Sequence, residues 1–88
     1  MPAVQVIEAQ GFTQPELRWQ LSRVRGKRVP SSTLRYWLRE LCIQPDEFGL
    51  YAVDDLKVLT RLVLWLKRKR TIQQFKTLLI QELETHAP

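Results

Sequence analysis

The stretch Val29-Pro30-Ser31-Ser32-Thr33-Leu34-Arg35-Tyr36-Trp37-Leu38-Arg39 decides how this chain is read. Val29 and Pro30 break the chain, and the serines behind them offer a hydroxyl of the kind that caps a new helix. Leu34, Leu38 and Leu41 then recur at helical spacing with Trp37 beside them, so this side is expected in a core. The opposite side carries Ser32, Arg35, Tyr36 and Arg39. The helix is therefore amphipathic, with a wet face that is basic and hydrogen-bonding.

Upstream, Thr13-Gln14-Pro15-Glu16 reads as a capping box, with proline tolerated in the first turn. Leu17, Leu21 and Val24 follow at helical spacing, so a first helix is expected to about Arg25, stopped by Gly26. Two helices joined by a short Gly/Pro turn, the second basic outside, make a helix-turn-helix arrangement. Between residues 17 and 39 there are seven bases, Arg18, Arg23, Arg25, Lys27, Arg28, Arg35 and Arg39, and no acid. A solvated face is the plain explanation of a charge run. Self-repulsion on this scale points instead to a polyanionic partner. A helix fits the major groove of double-stranded DNA, where Ser, Thr and Arg near its start reach base edges or phosphates.

Downstream, residues 44–51 read as a loop with Pro45 and Gly49 bracketing a tiny hairpin. Asp54 and Asp55 suit the first turn of a third helix better than a metal site, because carboxylates favour the positive end of the helix dipole. Its stripe is Leu56, Leu59, Val63 and Leu66, and the bases Lys67-Arg68-Lys69-Arg70 crowd its C-terminal end. Thr71-Ile72-Gln73-Gln74 opens a last helix, with Ile72, Phe75, Leu79 and Leu83 expected inward. Leu62-Val63-Leu64-Trp65-Leu66 is apolar all round, which leaves Val58, Leu62 and Trp65 on a second face. Either the N-terminal residues Val4, Val6, Ile7 and Phe12 cover that face, or it is a self-association surface.

Size and composition exclude a good deal. The chain has 88 residues, 14 Lys+Arg and 9 Asp+Glu, and a net charge of +5. That is one small domain with little room for a core plus a deep catalytic pocket. One cysteine, Cys42, and one histidine, His86, exclude an intrachain disulfide and a Cys/His zinc knuckle. Cys42 is expected to be a small buried hydrophobe and His86 to sit exposed in the tail. Tyr36 and Trp37 are the right chemistry for stacking on single-stranded bases, but Trp37 falls beside the core leucines. No nucleophile–base pair and no metal cluster is evident, so neither an enzyme nor a cofactor is expected. The N-terminal residues lack the features of a signal peptide, and the apolar run at residues 62–66 is too short to span a bilayer.

Thr33-Leu34-Arg35-Tyr36-Trp37, followed by Leu50-Tyr51 and Asp54-Asp55-Leu56, resembles the DNA-binding domain of the MerR family of transcription regulators. The resemblance spans roughly residues 12–80 and extends to Leu59, Leu62, Leu66, Thr71, Ile72 and Phe75. It implies an all-α winged helix-turn-helix of four helices with at most a tiny β wing, and a second helix lying in the major groove. By position it makes Ser31, Ser32 and Thr33 the tip of the recognition helix, and Arg35 and Tyr36 contacts to phosphate or base. Relative to the family, residues 18–28 are longer and more basic, and Asp46 and Glu47 stand where the wing usually has a base. Arg23, Arg25, Lys27 and Arg28 are then expected to take over backbone contacts, beside Arg18 and Arg39.

The expected organisation is an extension over residues 1–11 that packs on the third helix, a DNA-binding domain over 12–84, and a tail over 85–88. With the chain ending at Pro88, neither the family's dimerising helix nor its effector domain is expected, and no small-molecule effector. The expected function is a sequence-specific, double-stranded DNA-binding repressor that occupies promoters, located in the cytoplasm on the nucleoid. It would act as a monomer, a homodimer or a cooperative assembly. The alternatives are an architectural DNA binder resembling the excisionases of mobile elements, and a protein-interaction adaptor that uses Trp65.

Overall fold

Reciprocal side-chain caps build two of the helix starts, and both were legible as Thr-x-x-Glu/Gln. Thr13 Oγ1 accepts the Glu16 N–H at 3.3 Å while Glu16 Oε1 accepts the Thr13 N–H at 2.8 Å. Thr71 and Gln74 make the same exchange at 3.2 and 3.0 Å. The computed structural model describes residues 11–85. Their order is β1 (Gly11–Phe12), α1 (Gln14–Arg25), α2 (Ser31–Glu40), β2 (Tyr51–Ala52), α3 (Val53–Lys67) and α4 (Ile72–Thr85). The described chain is thus mostly helical with one two-stranded sheet. Val4, Val6 and Ile7 of the expected extension, and His86, lie outside the described residues.

The core joins Leu17 and Leu21 of α1, Leu34, Trp37 and Leu38 of α2, Leu59, Leu62 and Val63 of α3, and Ile72 and Phe75 of α4. Helix α3 is central: α1 packs on it most extensively, and α4 packs on it as well. That explains its apolar run, because a helix covered on two sides needs two apolar faces. It also corrects the expectation for Leu62, which is fully buried and cannot form part of an exposed surface. Val58 and Trp65 are partly buried against the core, and the exposed side chain of the run is Leu64. The Trp65 indole N–H donates to the Thr71 carbonyl at 2.9 Å and so pins the α3–α4 turn.

Leu83, expected inward, is 74 % exposed. The Lys76–Glu40 pair, at 3.2 Å, ties the first half of α4 to α2. Near its far end α4 instead presents Glu82 to Arg61, at 2.6 Å, so an ion pair faces α3 there.

The sheet differs from the expected hairpin. β1 and β2 pair antiparallel, with Gly11 opposite Ala52 and Phe12 opposite Tyr51, so the strand entering α1 meets the strand entering α3. Gly11 is required there, since a Cβ would lie 2.8 Å from Leu50 Cβ. The loop over residues 43–50 is closed by Asp46, whose Oδ1 accepts the N–H groups of Phe48 and Leu50 at 2.8 and 2.9 Å. An acid stands at this position because it holds the turn. In the first turn of α3, Asp55 Oδ2 accepts the Ala52 N–H at 3.2 Å, as helix-start chemistry requires.

Cys42 is a further correction: it is exposed, not buried. It takes a left-handed conformation, φ 57°, immediately past α2. The Ile43 N–H returns to the Leu38 carbonyl at 2.9 Å and the Cys42 N–H to Arg39 at 3.2 Å. This is a Schellman ending, and it faces Cys42 to solvent while Ile43 packs against the core.

Candidate nucleic-acid interface

The turn between α1 and α2 is held by a serine that sequence reasoning passed over. Ser22 Oγ donates to the Arg18 carbonyl at 2.7 Å and accepts the Val29 N–H at 2.9 Å. Gly26 ends α1 at φ 85°, a left-handed conformation that glycine adopts without strain, and its N–H returns to Ser22 at 2.9 Å. Val29 is fully buried, so the chain enters α2 from the core outward.

Neither serine caps α2. Pro30 occupies the N-cap position with extended backbone, φ −64° and ψ 152°, and makes no side-chain cap hydrogen bond. Ser31 and Ser32 are already helical, so their hydroxyls are one step too late to serve as the cap. Ser31 Oγ instead accepts from Arg18 Nη1 at 2.7 Å, which braces α1 against the start of α2.

On the outer face of α2, Ser32, Arg35, Tyr36 and Arg39 are all exposed, as their spacing requires, while Thr33 is half-buried. The Arg39 guanidinium lies 5.6 Å from the Tyr36 ring centroid. The bases of the turn divide by role. Arg18 bonds Ser31, and Arg25 Nη1 donates to the Arg28 carbonyl at 3.2 Å. Arg23 sits over the Trp19 ring at 4.9 Å. The side chains of Lys27, Arg28 and Arg35 are exposed. None of them has an acid partner among the described residues.

Two clefts flank this turn. The larger, about 660 Å³, is lined by Arg18, Trp19, Arg23, Lys27 and Arg28 among others. The smaller, about 250 Å³, brings Arg25 and Lys27 together with Trp37, Lys67 and Lys69. Lys67 Nζ reaches the Val24 carbonyl at 3.3 Å, at the negative end of the α1 dipole. The second basic cluster thus joins the first in space, which sequence distance concealed. Trp19, 59 % exposed, was also missed. Its signal was available, since two residues from Leu17 is about 200° around a helix, away from the core. Phe48, 77 % exposed at the tip of the 43–50 loop, is a third omission.

The turn between α3 and α4 carries a third concavity with different chemistry. Around Trp65, whose ring lies 4.5 Å from the Arg70 guanidinium, Gln74, Thr77, Leu78 and Gln81 line a concavity of about 370 Å³. Among the described residues no three His, Cys, Asp or Glu side chains gather to hold a metal ion, and no helix is long and apolar enough to cross a membrane. Comparison of the chain with protein-family models, with curated protein sequences and with solved structures finds no match in any of the three.

Proposed function

We propose that this chain is a sequence-specific, double-stranded DNA-binding transcription regulator built as a MerR-like winged helix-turn-helix. In this reading α2 lies in the major groove, with Ser32, Thr33, Arg35 and Tyr36 toward base edges. Arg23, Lys27, Arg28 and Arg39 meet the phosphates beside it. Lys67 and Lys69 extend the same basic surface toward the neighbouring backbone. Repression by promoter occupancy is the simplest mode, and it implies a location on the nucleoid. Arg18 and Arg25, by contrast, act first as braces that set the angle between the two helices.

The observation that carries the reading is the outer face of α2: its two arginines are exposed without an acid partner among the described residues, beside a turn of the same character. A solvated surface would be expected to intersperse charges of both signs. The test is fluorescence anisotropy on labelled duplexes selected from a random pool. The native chain should enrich a consensus, and the Arg35→Gln/Arg39→Gln variant should lose it while retaining the native melting temperature. A single short footprint supports repression, whereas several phased footprints with DNA bending support the architectural alternative. Failure to select or bind any duplex at low salt would remove the reading altogether.

A further inference from the structure

We propose that the cleft on α1 binds one nucleotide unit, with its unpaired base stacked on the Trp19 indole and its phosphate held by the surrounding cations. Trp19 remains 59 % exposed even with Arg23 seated 4.9 Å over its ring, so the guanidinium does not cover it. A large apolar ring left in water beside a cleft is ready to receive a flat partner. The cleft holds about 660 Å³, within the range of small-molecule sites. Arg18, Lys27 and Arg28 line it together with Arg23, and among the described residues no acid does. Arg18 spends one donor on Ser31, and the guanidinium has four more. The side chains of Lys27 and Arg28 are exposed and have no acid partner among the described residues.

A π-face bordered by cations matches the two parts of a nucleotide, a planar base and an anionic phosphate. A base inside a duplex is stacked between its neighbours and cannot lie on an indole, so the unit must be unpaired. It can come from a free nucleoside phosphate or from a single-stranded stretch, and both present the same chemistry. This goes beyond the duplex reading, because the ring projects from α1 rather than from the outer face of α2.

The test uses intrinsic tryptophan fluorescence of the full chain. Trp37 is buried and Trp65 half-buried, so Trp19 is the indole most open to a ligand. Titrants are a short oligothymidylate, thymidine monophosphate, inorganic phosphate and a blunt duplex. Saturable quenching by the oligonucleotide is expected, with none from inorganic phosphate. Comparable affinity for the monophosphate assigns the source to free nucleotide; saturation by the oligonucleotide alone assigns it to single strands. Trp19→Ala and Trp19→Phe should both remove the quenching; Trp19→Ala should weaken binding of a labelled oligonucleotide about five- to hundredfold, whereas Trp19→Phe should keep most of the binding. Melting curves of both variants should match the native one, because the ring lies outside the core. Equal quenching by phosphate, or oligonucleotide binding indifferent to Trp19→Ala, would overturn the proposal. So would quenching by the duplex alone, which would make Trp19 part of a duplex interface.

Discussion

On the α1–α2 side, Arg23, Lys27, Arg28, Arg35 and Arg39 stand without an acid partner among the described residues, whereas where α4 packs, Arg61 meets Glu82 at 2.6 Å and Lys76 meets Glu40 at 3.2 Å. Hydrogen bonding to the Glu82 carboxylate raises the pKa of Arg61 above its already high ordinary value. Both regions are built on the same core, so stability alone does not explain why Arg61 and Lys76 are paired while the bases of the α1–α2 turn and of residues 67–70 have no acid partner among the described residues. The two ion pairs of α4 hold helices together, Arg61–Glu82 joining it to α3 and Lys76–Glu40 joining it to α2. On the α1–α2 side, two arginines brace the turn and the remaining bases crowd one surface. The second arrangement is costly for an isolated molecule and favourable beside a polyanion.

The largest expected effect tests the shared core. Leu62→Ala should cost about 2–5 kcal/mol in urea denaturation, while Leu64→Ala, one turn-face away and half exposed, should stay within about 0.5 kcal/mol. Equal losses would mean that α3 does not bury the face described. Next comes the charge itself. Arg35→Ala should weaken duplex binding by about 1–3 kcal/mol and leave the unfolding midpoint unchanged. Relaxed specificity at one base pair would make it a reader of sequence, and a uniform loss a phosphate anchor. Ser22→Ala should lower stability by about 1 kcal/mol, because the Val29 N–H loses its acceptor and the turn its pin. The smallest effect belongs to the compensated side: Arg61→Gln should cost only about 0.2–1 kcal/mol, since that pair is exposed to solvent and salt.

Much of this architecture was readable from local chemistry. The caps at Thr13 and Thr71, the glycine stop at Gly26 and the leucine spacing of α2 all act within one or two helical turns, where sequence neighbours are also spatial neighbours. The errors lie where distant elements decide. Leu62 is buried because α1 and α4 both pack on α3, which no periodicity within α3 reveals. Leu83 follows the helical stripe yet is exposed, because its end of α4 faces Arg61 rather than apolar side chains. The strand partner of Tyr51 and Ala52 comes from Gly11 and Phe12, some forty residues earlier, instead of from an adjacent hairpin arm. Cys42 was misjudged because a Schellman ending overrides the burial habits of its side chain. For the candidate interface, the basic turn and the face of α2 were legible. The approach of Lys67 and Lys69 to Arg25 was not, since it depends on how α3 docks on α1.

The most direct test of an uncompensated surface built for a polyanion is the salt dependence of duplex binding. With about five phosphates neutralised, log K should fall against log salt with a slope near −4.5, and variants at Lys27 or Arg28 should each flatten it by about 0.9. A slope near zero, or slopes unchanged in those variants, would contradict the account.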